Sequence, residues 1–392
     1  MSPTRLSVAF IPLTDAAPLI VAEEMGFARE EGLSLDLVRA PSWSSLRDML
    51  AFGRVEAAHL LSPVPVAMAL GIGGVASPIS ALMVLSVNGN VVGVSRALGD
   101  RMRAAGHGFD VLDATGAGRA LVAAADRRLT IGVPFPFSMH AELLYYWLSA
   151  SGLPAPQSIE IKTVPPPLMA EAIAAGEIDA FCVGEPWGSK SVENGVGAIL
   201  LAGRAIWSFA PEKVLAVRTA WAAEEPDLSA RLMRAVWKAC RWLGQGGGET
   251  TAAEMLARPD YLDLAPHIID RAFTGHLIVN ERGEARDCPG FIEFFDGAAT
   301  FPWKSQAAWI AAQMAARLGL ERGTIMDQAR AVFRTDLYRR HLGTAGALLP
   351  GASEKTEGGI APGIAAASET GRLILGENQF FDGRVFDPFH AE

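Results

Sequence analysis

Apolar and polar positions alternate along this chain in a pattern that changes twice. From the first residues, short apolar runs trade places with longer stretches of helical period. The run Leu6-Ser-Val-Ala-Phe-Ile-Pro12 reads as a strand and leads into Thr14-Asp15 and an apolar helix. Strands are predicted at 5–11, 34–39, 56–61 and 79–86, with helices at 15–29, 44–53 and 64–71 between them. Ser42 or Ser44 is placed to cap the second of these helices. Strands that alternate with helical stretches imply parallel βαβ units. Residues 91–96 read as a crossover, followed by a polar, Gly-rich stretch from Ala104 to Gly118. A second series then begins, with strands at 129–133, 158–164, 178–183 and 198–201 and helices at 117–126, 138–152, 167–175 and 185–194. The chain crosses back near Gly203 to Ala210, and Lys213-Val-Leu-Ala-Val-Arg218 reads as a strand of the first unit.

Beyond it the period is helical, at 220–244, 249–257, 264–273, 304–318 and 323–333. From Ala345 onwards Gly, Ala, Pro and Ser dominate, and the pattern is that of a loop-rich extension. The fold class is therefore α/β. A first lobe is formed by residues 1–94 and 206–340, a second by 95–205, and an extension by 341–392. Two crossover segments join the lobes and leave a cleft between them. Strand ends and helix N-termini face such a cleft, and the free N–H groups there suit a small anion.

Length and composition narrow the function. The 392 residues are enough for two lobes with separate cores. Apolar stretches are broken by Gly, Pro or charge before the roughly 18 residues that span a bilayer. A net charge of -9 argues against a broad nucleic-acid surface. Cys182, Cys240 and Cys288 are widely spaced, with no CxxC pair, so neither a structural zinc site nor a disulfide framework is implied. Three free thiols fit a reducing compartment. The first strand starts almost at residue 1, with no basic and apolar leader ahead of it, which leads us to expect a cytoplasmic protein.

Candidate chemistry follows from residue types. Lys213 supplies one full positive charge, Trp43 an indole N–H that can only donate, and His140 a ring nitrogen. Gly184 lets backbone N–H groups approach closely because it has no Cβ. Ser138 is a candidate N-cap in front of His140, and the positive end of that helix disfavours imidazole protonation. Pro186 favours a helix opened by Gly184-Glu185, with its N–H groups towards the cleft. Each residue also has a plainer role open to it. Trp43 suits a half-buried aromatic, Lys213 a solvated strand end, and Cys182 a buried thiol rather than a nucleophile.

Several segments carry a family resemblance: Leu13-Thr-Asp-Ala-Ala-Pro18, Ala40-Pro-Ser-Trp43, Ala57-Ala-His-Leu-Leu-Ser-Pro63, Val87-Asn-Gly-Asn90, Val164-Pro-Pro-Pro-Leu-Met169 and Phe181-Cys-Val-Gly-Glu-Pro-Trp187. Leu256-Ala-Arg-Pro-Asp-Tyr261, Thr274-Gly-His276 and Phe301-Pro-Trp-Lys304 follow in the same order. Together they resemble the nitrate- and bicarbonate-binding branch of the solute-binding proteins of ABC-type transport, over residues from about 5 to about 340. The resemblance implies a periplasmic-binding-protein-like type II fold. With no leader in view, it is nearest to the cytoplasmic nitrate/nitrite sensor of nitrate assimilation (the NasS type). That type holds an antiterminator of the NasT type, which has an ANTAR domain, and releases it when nitrate or nitrite binds. Direct nucleic-acid or membrane contact and a cofactor are not expected.

By resemblance the ligand-binding residues are Trp43, Asn90, His140, Gly184 and Lys213. Asn90 stands where Gln is expected in the transport-linked binders, which shortens a donor by one methylene. A transport-linked nitrate or bicarbonate binder is the alternative. An enzyme on the same fold, a pyrimidine-precursor synthase with a dense cysteine cluster, is disfavoured because Cys182 stands alone. On this reading Lys213→Ala removes most anion affinity and leaves the fold intact.

Overall fold

The computed structural model describes residues 3–390, which fold around two twisted sheets. The first sheet has six strands. Strands β1 (Thr4–Phe10), β2 (Leu33–Arg39) and β3 (Ala57–Leu61) are parallel, β1 lying between the other two. Next comes β10 (Pro211–Arg218), antiparallel to β3, then β4 (Ile79–Asn88), and last the short strand Ile292–Glu293. The second sheet has five, in the order β7 (Glu160–Thr163), β6 (Thr130–Val133), β8 (Ala180–Gly184), β5 (Asn90–Ser95) and β9 (Gly197–Ala202). Here β6 runs parallel to β7 and β8, and β5 runs antiparallel to β8 and β9.

The two sheets thus obey one rule. The strand that arrives from the other lobe, β5 or β10, inserts antiparallel among parallel neighbours. Its first residues then lie at the lobe junction, beside the carboxyl ends of the parallel strands. Nearly every residue of β4, β5, β8 and β10 is buried, so their apolar runs are continuous rather than alternating.

The lobe boundary at residues 94 and 95 needs correction. Residues 91–96 are not a connecting segment, because Asn90–Ser95 is a strand of the second sheet. The crossing is at Asn88-Gly89, where both residues take positive φ (58° and 93°). The strand was hard to recognise because Gly93 interrupts its apolar run. A Cβ there would lie 2.2 Å from Cζ of Phe181, so the ring packs directly on the backbone. Helix Arg96–Ala104 also escapes the hydrophobic pattern, since only Leu98, Gly99 and Met102 are buried along it. Helix Thr335–Leu342 was missed as well. The long helix expected at 15–29 is broken into Ala17–Glu24 and Phe27–Glu30 by Gly26 at φ 81°. That at 220–244 is divided before Pro226 into Thr219–Glu224 and Pro226–Gly244. Among the described residues no helix is long and apolar enough to cross a membrane.

The loop-rich extension packs on both lobes. Phe380 stacks on Trp309 of helix Lys304–Leu318 in the first lobe, with ring centres 5.7 Å apart and planes at 22°. It also lies 4.9 Å from Trp207 in the return crossover and 5.3 Å from Tyr146 of helix Met139–Ala150 in the second lobe. Asn378 accepts a hydrogen bond from the Trp207 indole at 2.6 Å, and Asp382 accepts one from the Tyr146 hydroxyl at 2.8 Å. Nearby the Arg317 guanidinium forks onto the buried Glu142 carboxylate, a further link between the lobes.

Phe380→Ala empties the centre of this aromatic cluster and is expected to cost about 3–5 kcal/mol. Urea unfolding of the full chain measures it, and a loss below about 1 kcal/mol would show that the extension contributes little to the lobes' stability.

Candidate functional site

Elements of both lobes meet where the crossover strands begin. After β1 the chain passes through Ile11-Pro12-Leu13 into the single turn Thr14–Ala16, which carries Asp15 inward. Ser42 caps helix Trp43–Ala51 by accepting from the Ser45 N–H at 3.2 Å, which sets Trp43 at the first helical position with its indole buried. His59 on β3 shares a sheet face with Lys213, since Lys213 pairs with Leu61 and Leu215 with His59. From the second lobe, Ser138 caps helix Met139–Ala150 as expected, accepting from Ala141 N–H at 3.2 Å, and His140 follows within the first turn. Asn90 opens β5 directly opposite Gly184 at the end of β8.

The structure brings Trp43, Asn90, His140, Gly184 and Lys213 into one buried cluster, with every side chain at most 1 % exposed. Lys213 Nζ lies 5.5 Å from the Trp43 ring centre. It donates to Asp15 Oδ2 at 2.6 Å and to Glu212 Oε1 at 2.9 Å. His59 Nε2 is 2.8 Å from Asp15 Oδ1, and His140 Nδ1 is 3.0 Å from Glu212 Oε1. Asn90 does not offer its amide N–H to open space but donates to Glu212 Oε2 at 2.9 Å. Gly203 makes room for that side chain, since a Cβ there would fall 1.6 Å from Asn90 Oδ1. At Gly184 a Cβ would stand 3.0 Å from Leu13, 3.6 Å from His140 Nε2 and 3.7 Å from Asp15 Oδ2, so the bare backbone forms part of the cluster wall. Among the described residues, Trp43 Nε1 and both ring nitrogens of His140 are buried without a hydrogen-bond partner.

Charge here is set by burial and by Lys213. Burial opposes ionisation of Asp15, yet Lys213 and His59 beside it prevail and hold its carboxyl well below the usual carboxylate range. Burial pushes Glu212 up to about 7, with Lys213 opposing the rise and Asp15 adding to it. Lys213 stays charged, because its carboxylate partners outweigh its burial. His140 is held well below its ordinary value by burial and then by Lys213, so it is neutral. The helix end was expected to have this effect; desolvation and the lysine are the larger causes. His59 is lowered by burial too, against the pull of Asp15.

Two expectations are corrected by this geometry. The first is that donors and a single positive charge suffice. Asp15 and Glu212 place two carboxylates against that charge, and with His59 they are the members of the cluster that residue typing missed. Their signals were present, in the Leu13-Thr-Asp and Ala57-Ala-His segments and in the residue before Lys213. The second concerns the helix after Gly184. It runs Trp187–Glu193, and the Glu185 carboxylate accepts the Ser189 N–H at 3.0 Å, so that first-turn donor is satisfied within the protein.

The lobes touch over the site. The Trp187 indole donates to the Pro12 carbonyl at 2.7 Å, and Thr14 N–H to the Glu185 carbonyl at 2.9 Å. Outside them lies a groove of about 430 Å³ between Ile11, Pro12, Ala40 and Pro41 of one lobe and Pro165 and Leu168 of the other. A wider cavity of about 670 Å³, near Trp237 and Arg241, shares no residue with the cluster. Cys182 is a buried thiol whose ionisation is strongly opposed, first by burial and then by Glu212, so it is not a ready nucleophile. No group of three or more His, Cys, Asp or Glu among the described residues is arranged to hold a metal ion.

The expectation for Lys213→Ala changes accordingly. Removing the ammonium leaves Asp15 and Glu212 buried without their cation, at an expected cost of about 3–5 kcal/mol near neutral pH. Asp15 has a depressed folded-state pKa, so in the wild type its contribution is present above its ordinary value of 3.8 and is lost as pH falls below that. Urea unfolding of wild type and variant from about pH 7 down to about pH 3 is therefore expected to show the gap narrowing as pH falls.

Comparison with known proteins agrees with this architecture. The nitrate import ATP-binding protein NrtC of Synechocystis sp. PCC 6803 is 33% identical over 313 residues, covering 79% of this chain and 46% of NrtC; the chain spans just under half of that relative's length. The nitrate/nitrite binding protein NrtA of Nostoc sp. PCC 7120 is 28% identical over 400 residues, covering 99% of this chain and 84% of NrtA. The crystal structure of the periplasmic nitrate-binding protein NrtA from Synechocystis PCC 6803 superposes with a TM-score of 0.84 at 26% identity, over 99% of this chain and 96% of that one. Its likeness confirms the two-lobed, periplasmic-binding-protein-like α/β fold. A profile of the NMT1-like family matches residues 1–257, about two-thirds of the sequence, and the chain belongs to that family.

Proposed function

We propose that this protein binds nitrate or nitrite between its lobes. The observation that carries the reading is the unpartnered Trp43 indole N–H from the first lobe and the unpartnered His140 imidazole from the second, both buried around the Lys213 ammonium. A buried donor without an acceptor costs roughly 1–3 kcal/mol, and a ligand oxygen removes that cost. Nitrate is a flat monoanion with three acceptor oxygens and no proton of its own, so it can take donors from both lobes at once and hold them together. The likeness to NrtA over nearly the whole chain supports the same ligand class.

In the finer form of this reading the protein is a cytoplasmic sensor. It sequesters an ANTAR-domain antiterminator of the NasT type and releases it when the lobes close on nitrate. It contacts neither nucleic acid nor membrane itself and catalyses no reaction. The ordered motifs from Leu13 to Lys304 are those of the anion-binding branch that this sensor type shares with the transport-linked binders. Closure changes the surface offered to a partner, and linkage then requires nitrate and partner to weaken one another by the same factor. The second reading is a ligand-binding component of an ABC-type nitrate or bicarbonate transporter, and it is favoured by the import role named for NrtC.

Titration calorimetry with nitrate, nitrite, bicarbonate and chloride tests the common core. Saturable heat with nitrate or nitrite alone is the expected result, and heat with bicarbonate alone would move the protein to carbon sensing or transport. Trp43→Phe keeps the ring and removes the N–H; affinity is expected to fall about tenfold or more, the worth of one hydrogen bond to a charged acceptor. To separate the finer readings, the antiterminator is co-purified with the protein. A complex that nitrate dissolves supports the sensor, and one unchanged by saturating nitrate and nitrite would sink it.

A further inference from the structure

We propose that filling the cleft with an anion is coupled to uptake of one proton by the Glu212–His140 pair, which makes Glu212 the residue that sets the pH range in which the site fills. The proposal rests on the reading of the cleft as an anion site.

The argument begins with a charge count. Around Glu212 stand Lys213 from its own strand, Asp15 from the turn after β1, Asn90 from β5, His140 from helix Met139–Ala150 and Cys182 from β8, with His59 of β3 behind Asp15. Asp15 is firmly ionised, Lys213 is charged, and both imidazoles and the thiol are neutral. Within the cluster Glu212 is the group poised near neutrality; burial raises Glu185 to about 7 as well, but its carboxylate is turned to the Ser189 N–H instead. When it is ionised, the cluster holds two negative charges against one positive. An anion arriving beside Lys213 then meets an excess of its own sign in a site closed to water, where like charges are strongly disfavoured. With one proton added the protein groups sum to zero, and the anion becomes the only net charge.

The position of His140 gives the proton a second effect. Its Nδ1 approaches Glu212 Oε1 at 3.0 Å, out of line for a hydrogen bond, and Nε2 lies next to Gly184 at the junction of the lobes, also without a partner. A neutral imidazole carries one N–H. An ionised Glu212 favours that hydrogen on Nδ1 and leaves a lone pair on Nε2, which repels an anion. A proton delivered to the pair, resting on Oε1 or passed to the ring, makes Nε2 a donor. The balance is simple: solvent gives up one proton, the pair gains it, and no bond of the anion is made or broken. Nitrate brings no proton, so solvent must supply it. Bicarbonate carries its own O–H, and for it the requirement is relaxed.

The test is calorimetry of the full chain with sodium nitrate in pairs of buffers that differ in ionisation enthalpy, at about pH 6 and about pH 8.5. The expected result is close to one proton taken up per nitrate at the higher pH and less than half at the lower, with Kd rising about tenfold per pH unit above neutrality. Glu212→Gln, of the same shape and unable to titrate, is expected to abolish both the proton uptake and the slope. Nitrate binding whose heat ignores the buffer and whose Kd is flat from about pH 6 to 8.5 overturns the proposal and leaves the anion site standing. No binding at either pH overturns the anion site as well. Glu185→Gln, which leaves the cluster intact, is expected to keep the wild-type proton uptake, and its loss there would overturn the assignment to Glu212 even if the first variant does not fold.

Discussion

One ammonium group holds the lobe junction together. Lys213 lies fully buried on β10, and its charge is tolerated there only because Asp15 and Glu212 bracket it at hydrogen-bond distance. Each bracket has a backer of its own, His59 for Asp15 and Asn90 for Glu212. The first lobe therefore supplies the charge and both carboxylates, and the second supplies an amide and an imidazole. Buried ion pairs seldom add net stability, because desolvation offsets their attraction. Their worth here is positional: they fix a cation, and the neutral donors around it, in a place that water does not reach.

That place follows from topology. A strand that has just crossed from the other lobe starts at the junction and runs outward, antiparallel to neighbours whose carboxyl ends point inward. Asn90 and Gly184 are consequently opposite one another, as are Lys213 and Leu61. Glu212 and Lys213 near the start of β10 and Asn90 at the start of β5 are brought to the junction in this way. The two-sheet design thus converts a chain connection into a binding surface, and it does so once from each lobe.

Most of the architecture was legible in the sequence because its strands are nearly all-apolar runs between capped helices. Ser42 and Ser138 were found for a local reason, since a cap is written within four residues. What escaped was decided by distant contacts. Gly93 reads as a break until Phe181 is seen lying on it. Helix Arg96–Ala104 shows few apolar positions because it covers little core. In the site, the basic and aromatic residues were recognisable by their donor chemistry and by resemblance. Asp15, His59 and Glu212 were not, because a carboxylate looks wrong for an anion site until its lysine is seen to be shared. The composition of residues 341–392 suggested little beyond loops, yet Phe380 and Asn378 find partners in three separate parts of the chain.

The docking of that extension also bears on how the lobes are joined. Phe380 has Tyr146 of one lobe on one side and Trp309 of the other on another, and the Glu142–Arg317 pair joins the same two helices. Prising those helices apart would wet an aromatic cluster and strand a buried carboxylate, a larger loss than parting the single Trp187–Pro12 hydrogen bond. The edge at Phe380 is thus a stitched seam: a chain cut ahead of residue 341 would keep the Glu142–Arg317 pair yet lose the aromatic thread that runs beside it.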